Sequence, residues 1–464
     1  MLTYSFAQAG NVPKYEFLYQ CIKQDIVQGK LPAGTRLPSK RAFAKNQSVS
    51  VVTVENTYAQ LLAEGYIFSK PRSGFFVNPV SPPAPTLQAV KVETHADTAP
   101  SAPVFADLLS NRTAQHSFPF ATWAKLMREV ISEQKNQLQL PSEGQGILEL
   151  RQAIASYLRD FRGLLVQPEQ IIVGAGTEYL YGLLIQLLGY DKTYAVEDPG
   201  YPKIRMIYQA HGVRCCPIAM DKKGICPHAL EASPAQIVHL SPAHHFPTGI
   251  VMPIGRRYEI FDWALKDAER FIIEDEYDSE FRLTGNPIPT LASLDEAGRV
   301  IYMNTFTKSL APTIRIGYMV LPMALLRKFQ ERLGFYACTV SNFEQYTLAR
   351  FIQKGYFEKH INRMRNRYRA LRDQLIQSIR KEFLPEGGRI QEEEAGLHFL
   401  LHLKTSGPDE ALVQRAAQKG LRVACLSQYY AQSPLEPTHT LLLNYSGLEQ
   451  EKIPAVVERL KAIL

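Results

Sequence analysis

The stretch Asn304-Thr305-Phe306-Thr307-Lys308-Ser309-Leu310-Ala311-Pro312, with Arg315-Ile316-Gly317-Tyr318 close behind, governs the reading of the whole chain. It follows the apolar run Val300-Ile301-Tyr302, which reads as a short strand. A lysine at a strand end among small hydroxyl residues loses its proton by partial burial and can then attack an aldehyde. Arg315 presents a planar fork that matches a phosphate. The bland alternative is an exposed lysine near a solvated arginine.

Three further segments weigh against that alternative. Glu274-Asp275-Glu276-Tyr277-Asp278 follows the apolar run Phe271-Ile272-Ile273. One carboxylate at such a strand end can hold a pyridine nitrogen protonated, and a phenol two residues on can bond a ring oxygen. An acidic solvated loop would explain the charge, but not its place behind a strand. Gly174-Ala175-Gly176-Thr177 joins a strand to a helix, where free amides and a hydroxyl can cradle a phosphate. Asp198-Pro199-Gly200-Tyr201-Pro202 presents an aromatic ring able to stack on a planar cofactor. Taken singly, these last two are a glycine turn and a proline turn.

Around these segments, strands and helices alternate for some 350 residues. Ile171–Val173, Tyr194–Val196 and Ile237–Leu240 add three more short apolar runs. That alternation predicts an α/β domain with a mostly parallel sheet covered on both faces and ligands at the carboxyl ends of its strands. The 464 residues, 45% of them apolar, allow two or three domains. There is no repeat, no secretory start and no apolar run long enough to span a bilayer, so a cytoplasmic protein without a membrane partner is expected. Six scattered cysteines lack metal-ligand spacing and are expected to be reduced, with no metal site.

The first 78 residues differ in character. They carry nine Lys/Arg and four acids, a balance of +5 out of +7 for the chain, which points to a polyanionic partner. Helical spacing over Tyr15–Val27, a second helix opened by Ser39 and a third over Val51–Glu64 capped by Ser50 precede two strands, Tyr66–Ser69 and Phe75–Val77. Three helices and a hairpin with a basic tip form a winged helix-turn-helix. Its third helix would enter the major groove amino end first, so Ser50, Thr53 and Asn56 are candidate contacts to base edges or phosphates. Ser39, Lys40, Arg41 and Lys45 would meet phosphates, and Arg72 beside Gly74 would form the wing contact. From Asn78 to Val104, six prolines among Ala, Ser and Thr read as an extended linker. The expected division is therefore 1–78 for DNA binding, 79–104 for the linker and 105–464 for the large domain.

The run LPAGTRLPSKRAFAKNQSVSVVTVENTYAQLLAEGYIFSKPRSGFFV (31–77) resembles the GntR-type winged helix along its whole length, apart from Val51, where members usually carry arginine. The four cofactor segments resemble fold-type I pyridoxal-phosphate enzymes. The runs GILELRQAIASYLRDFRGL, SPAHHFPTGIVMP and HINRMRNRYRALRD extend the likeness to the aminotransferase-like half of MocR-type regulators. The resemblance implies pyridoxal 5'-phosphate in Schiff-base linkage to Lys308. It places Asp275 at the pyridine nitrogen, Tyr277 on the 3-oxygen and Tyr201 against the ring, with Arg315, Thr305, Gly176 and Thr177 on the phosphate. It further implies a homodimer, with one subunit's winged helix over its partner's large domain, that binds double-stranded promoter DNA.

Two departures bear on activity. Aminotransferases of this kind commonly carry asparagine before Pro-Thr-Gly, where this chain has Phe246. Many also carry a substrate-binding arginine where this chain has Leu442. Losing that fork costs an amino-acid carboxylate on the order of 2–3 kcal/mol. Lys203 and Arg205 are candidate replacements for effector binding. The expected function is a regulator sensing an amine, an amino acid or pyridoxal phosphate itself; the alternative is a working aminotransferase with a DNA-binding appendage.

Overall fold

The computed structural model describes residues 2–10, 12–80, 104–109, 117–283, 288–394, 396–432 and 434–464. Its contacts divide the chain after Ala99 into two units. Most of the expected linker, 81–103, lies outside the described residues.

The first unit contains α1 (Lys14–Val27), α2 (Lys40–Gln47), α3 (Val51–Ala63) and an antiparallel hairpin, β1 (Ile67–Lys70) with β2 (Gly74–Val77). Leu18, Ile22 and Ile26 of α1 recur at helical spacing and close on Phe43, Val54, Tyr58 and Leu61. Ser39 caps α2 by accepting the Ala42 amide, and Ser50 caps α3 by accepting that of Thr53. Between them Ser48 adopts a left-handed conformation (φ 52°), which makes the tight turn of the helix-turn-helix.

The second unit is built on an eight-stranded sheet. Its strands are β3 (Ile171–Gly174), β4 (Thr193–Asp198), β5 (Arg214–Asp221), β6 (Gly224–Ile225), β7 (Ile237–Leu240), β8 (Phe271–Glu276), β9 (Val300–Thr305) and β10 (Gly317–Val320). Their spatial order is β3-β10-β9-β8-β7-β4-β5-β6. The central pairs are parallel, as the alternation predicts, whereas β10 runs antiparallel to both neighbours. Alternate residues bury to opposite faces: Ile273, Ile301 and Met303 join one core cluster, Tyr302 and Tyr318 the other.

A 28-residue helix, α5 (Tyr356–Phe383), leads to an antiparallel sheet that sequence periodicity did not reveal. It comprises β11 (Arg389–Gln391), β12 (His398–His402), β13 (Ala424–Cys425) and β14 (Thr440–Asn444), in the order β11-β12-β14-β13. The start of the unit is tied to this end, because Ala106–Asp107 pairs with Leu421–Arg422. No helix among the described residues is long and apolar enough to cross a membrane.

Candidate functional site

The carboxyl ends of β3, β4, β7, β8 and β9 open into one cavity of about 470 Å³. Lys308, Asp275, Tyr277, Tyr201, Arg315, Thr305 and Thr177 all line it, from four separate segments of chain.

Pleating selects one acid from the run after β8. Glu274 accepts the amides of Leu291 and Ala292, and Glu276 pairs with the buried Arg162. Only Asp275, between them, faces the cavity. Its Oδ2 accepts from the Tyr181 hydroxyl, and from His239 Nε2 at 3.4 Å. Tyr208 donates to His239 Nδ1 at 2.8 Å, which leaves the ring proton on Nε2. Asp275 Oδ1 is buried with no partner. A protonated pyridine nitrogen is the donor that this oxygen lacks.

Antiparallel β10 brings the phosphate residues together. Gly317 pairs with Gly174 on one side and with Thr305 on the other, so Arg315 arrives over the β3–α4 turn, where α4 is Thr177–Leu188. Gly176 has φ +86°, which favours glycine, and a Cβ there would lie 2.8 Å from Arg315 Nη2, so a larger residue would also push the guanidinium out of place. Arg315 and Lys203 share Glu178, whose carboxyl they hold below its ordinary range. Thr305 Oγ1 and Thr307 Oγ1 lie 2.8 Å apart on the same rim. A helix amino terminus, a guanidinium and two hydroxyls thus fit a phosphate dianion.

Lys308 is partly buried, with its side chain on the cavity wall. Burial pushes its ammonium down to about 8, opposed by the negative charge of Asp278. Burial, reinforced by Asp278 and Asp275, pushes the Tyr277 phenol far above its usual range. Glu197 lines the cavity too, and burial raises its carboxyl to about 8 although the Ser241 amide donates to it. His245, 3.4 Å away, is pushed down to about 3 by burial and by His244. The pair is therefore uncharged near neutral pH rather than a salt bridge.

The opposite wall is apolar. Phe246 packs edge-on against Tyr201, Tyr277, His398 and Tyr429, with ring centroids 5.3–6.4 Å apart. Leu442 is fully buried behind it with Leu400, Ala424 and Tyr429 and takes no part in the lining. Lys203 reaches the rim, already paired to Glu178. Arg205 lies near Cys215 and outside the lining, so the structure does not bring it to an effector. Its place on the helix after Tyr201 turns it away from the cavity.

Sequence reasoning missed Tyr181, His239, Glu178, Glu197 and Tyr429. Tyr181 is four residues past Thr177, one helical turn on, and His239 interrupts an apolar strand; both spacings were visible signals. Nothing local marks Tyr429.

In the first unit, Arg41, Lys45, Asn56 and Arg72 are exposed, and Val51 and Val52 stand exposed at the start of α3. Ser50 Oγ and Thr53 Oγ1 bond each other at 2.8 Å. Lys40 is not a free phosphate contact, because it pairs with Glu55 at 3.2 Å and lies over the Phe75 ring. Gly74 (φ +108°) and Arg72 (φ 59°) turn the hairpin tip.

Fold and site define a pyridoxal-phosphate domain of fold type I on a chain that also carries a winged helix. Residues 108–460 match the aminotransferase class I and II family, and residues 14–77 match the gntR family of bacterial regulatory proteins. An uncharacterized HTH-type transcriptional regulator of Bacillus subtilis, YdeL, is 38% identical over 97% of both chains. The probable rhizopine catabolism regulatory protein MocR of Rhizobium meliloti is 31% identical over 97% of this chain and 94% of its own. The Pyrococcus horikoshii kynurenine aminotransferase shares the fold of the large unit, with a TM-score of 0.68, 24% identity and coverage of 78% of this chain and 91% of its own. The chain belongs to the aminotransferase class I and II family and, through its amino-terminal domain, to the GntR regulators of the MocR type, and its cofactor is pyridoxal phosphate.

Proposed function

We propose that this protein is a pyridoxal-phosphate-dependent transcription regulator that binds promoter DNA through residues 1–78 and senses a small molecule in residues 105–464. One observation carries the reading. The cavity keeps a complete set of groups for the cofactor, yet closes its far wall with Phe246 in front of a buried Leu442. Cofactor binding and substrate binding are thus separated in a single site, as a sensor requires and a transaminase does not.

Lys308 takes the cofactor aldehyde, Asp275 the pyridine nitrogen, Tyr277 the 3-oxygen and Tyr201 the ring face. Arg315, Thr305, Thr177 and the Gly176 turn hold the phosphate. The bound group supplies an aldehyde carbon that captures primary amines reversibly. The effector is an amine, or pyridoxal phosphate itself, with Lys203 at the rim as its one cationic contact among the described lining residues not assigned to the cofactor. We place the protein as a homodimer with one winged helix crossing to its partner, so that two linked heads read two half-sites at a spacing the linker sets.

Promoter binding by the full chain, with and without pyridoxal phosphate and a series of amines, tests this reading. Removal of residues 1–78 is expected to abolish binding and its salt dependence. Steady conversion of an amino acid into its keto acid would instead establish the aminotransferase alternative.

A further inference from the structure

One group beneath the cavity floor is not used by the cofactor contacts above. His244 is buried, and its Nδ1 lies 3.0 Å from the Tyr277 hydroxyl, 2.9 Å from Asp278 Oδ2 and 3.2 Å from Asp278 Oδ1. Its Nε2 is buried without a partner. A proton on Nε2 would be stranded there, while a bare Nδ1 would face the Asp278 carboxylate lone pair to lone pair. The ring proton therefore sits on Nδ1. With Nδ1 donating, the Tyr277 oxygen on this side is an acceptor, and its own proton must leave in another direction. Tyr277 lines the cavity, so that direction is the cavity itself.

The ring is held from below by a second part of the fold. Gly396, just before β12, has φ +66°, and a Cβ there would fall 1.9 Å from His244 Cε1. The imidazole thus lies directly over that backbone, with His398 of β12 at 4.6 Å between ring centroids. His398 Nε2 in turn bonds the Pro247 carbonyl, and Tyr445 donates to the Gly396 carbonyl. The loop carrying His244 and Phe246 is gripped by the carboxyl-terminal sheet.

We infer that His244 is a positioning residue for the bound pyridoxal: its Nδ1–H, shared between Asp278 and the Tyr277 oxygen, turns the phenol proton toward the cofactor's 3-oxygen, and its seat on Gly396 couples that setting to the carboxyl-terminal sheet. The inference rests on the reading that Lys308 and Tyr277 hold the cofactor. Among the described residues, the ionisable groups around the ring are Asp278 and Tyr277 beyond β8, His245 beside it, His398 of β12, Glu392 just after β11, and Arg162 and Arg282, which line the same small space as His244; Lys308 and Tyr445 lie within reach of Asp278.

The test is a pH titration of the visible absorption band of the full chain loaded with pyridoxal phosphate. A 3-oxygen deprived of its donor becomes more basic, so His244→Leu is expected to raise the midpoint by about one pH unit, a roughly tenfold change in proton affinity. His244→Asn puts an amide N–H where Nδ1 stands and should stay near the wild-type midpoint, whereas His244→Gln puts it at Nε2 and should shift. These two make the comparison even if the leucine variant does not fold. Gly396→Ala, which displaces the ring, should shift the midpoint in the same direction.

Tyr277→Phe should also raise the midpoint, and adding His244→Gln to it should change nothing more. An unchanged midpoint in His244→Gln beside a shifted one in Tyr277→Phe would overturn the inference. So would a His244 effect that persists without the phenol, since it would then act by packing alone. A wild-type chain that shows no visible band would sink the cofactor reading itself, and the inference with it.

Discussion

At the pyridine and phosphate end of the cavity, Arg315 and Lys203 share Glu178, and Asp275 points an unpartnered oxygen where the pyridine nitrogen fits. At the far end, Phe246 and the buried Leu442 offer only apolar surface. The first end demands particular atoms at particular places: an unpartnered Asp275 Oδ1, a depressed Lys308 and a guanidinium over Gly176. The second demands only packing. The contrast teaches that the two halves of an aminotransferase site are separable, and that this chain keeps the half that binds the cofactor.

The strongest way to break that contrast is at Lys308. Lys308→Ala is expected to eliminate the visible band entirely; an unchanged spectrum would mean that another amine holds the cofactor. Leu442→Arg attacks the other end. A guanidinium forced into that closed cluster should destabilise the chain by roughly 3–5 kcal/mol, read as a lowered denaturation midpoint. A variant as stable as the parent that responds to amino acids would show the apolar wall to be a late and superficial change. Asp275→Ala removes the partner of the pyridine nitrogen and should weaken cofactor affinity by about 2 kcal/mol, some 30-fold, in a fluorescence titration.

Proton traffic sharpens the same comparison. Lys308 titrates at about 8 in the folded chain, below a free lysine. Below that pH the ammonium is the major form and cannot attack, so cofactor capture should quicken about tenfold per pH unit up to about 8 and level off above it. Stopped-flow absorbance would reveal this; a rate independent of pH would assign the limiting step elsewhere. The smallest effects belong to the DNA-reading unit. Arg41→Ala should lower the slope of log affinity against log salt by about 1. Lys40→Ala should lower it less, because Glu55 already neutralises that side chain.

Much of this was legible in the chain. Lys308 could be singled out because a lysine after an apolar strand, among hydroxyls and ahead of an arginine, has few bland explanations. The winged helix was legible because its caps, Ser39 and Ser50, are local signals that act within one helical turn. Five of the six strands that run in the same direction announced themselves as apolar runs; β5 did not, being largely exposed. The carboxyl-terminal sheet did not, because β12 and β14 are buried on both faces and show no alternation. Arg205 lies outside the cavity lining for a related reason: nearness to Tyr201 in sequence says nothing about which side of the helix faces the cavity.

By itself, the sequence determined which chemical groups the protein possesses and the local elements that carry them, since helical periods, caps and turns act over a few residues. It named Asp275 among three adjacent acids only through a resemblance. The tertiary structure decided what those groups do to one another. Strand pleating turns Asp275 inward and its two neighbours away, and antiparallel β10 returns Arg315 to Gly176. The long path through α5 brings Gly396 under His244. Each of these depends on contacts between residues far apart in the chain, which are set only when the sheet closes and its core excludes water.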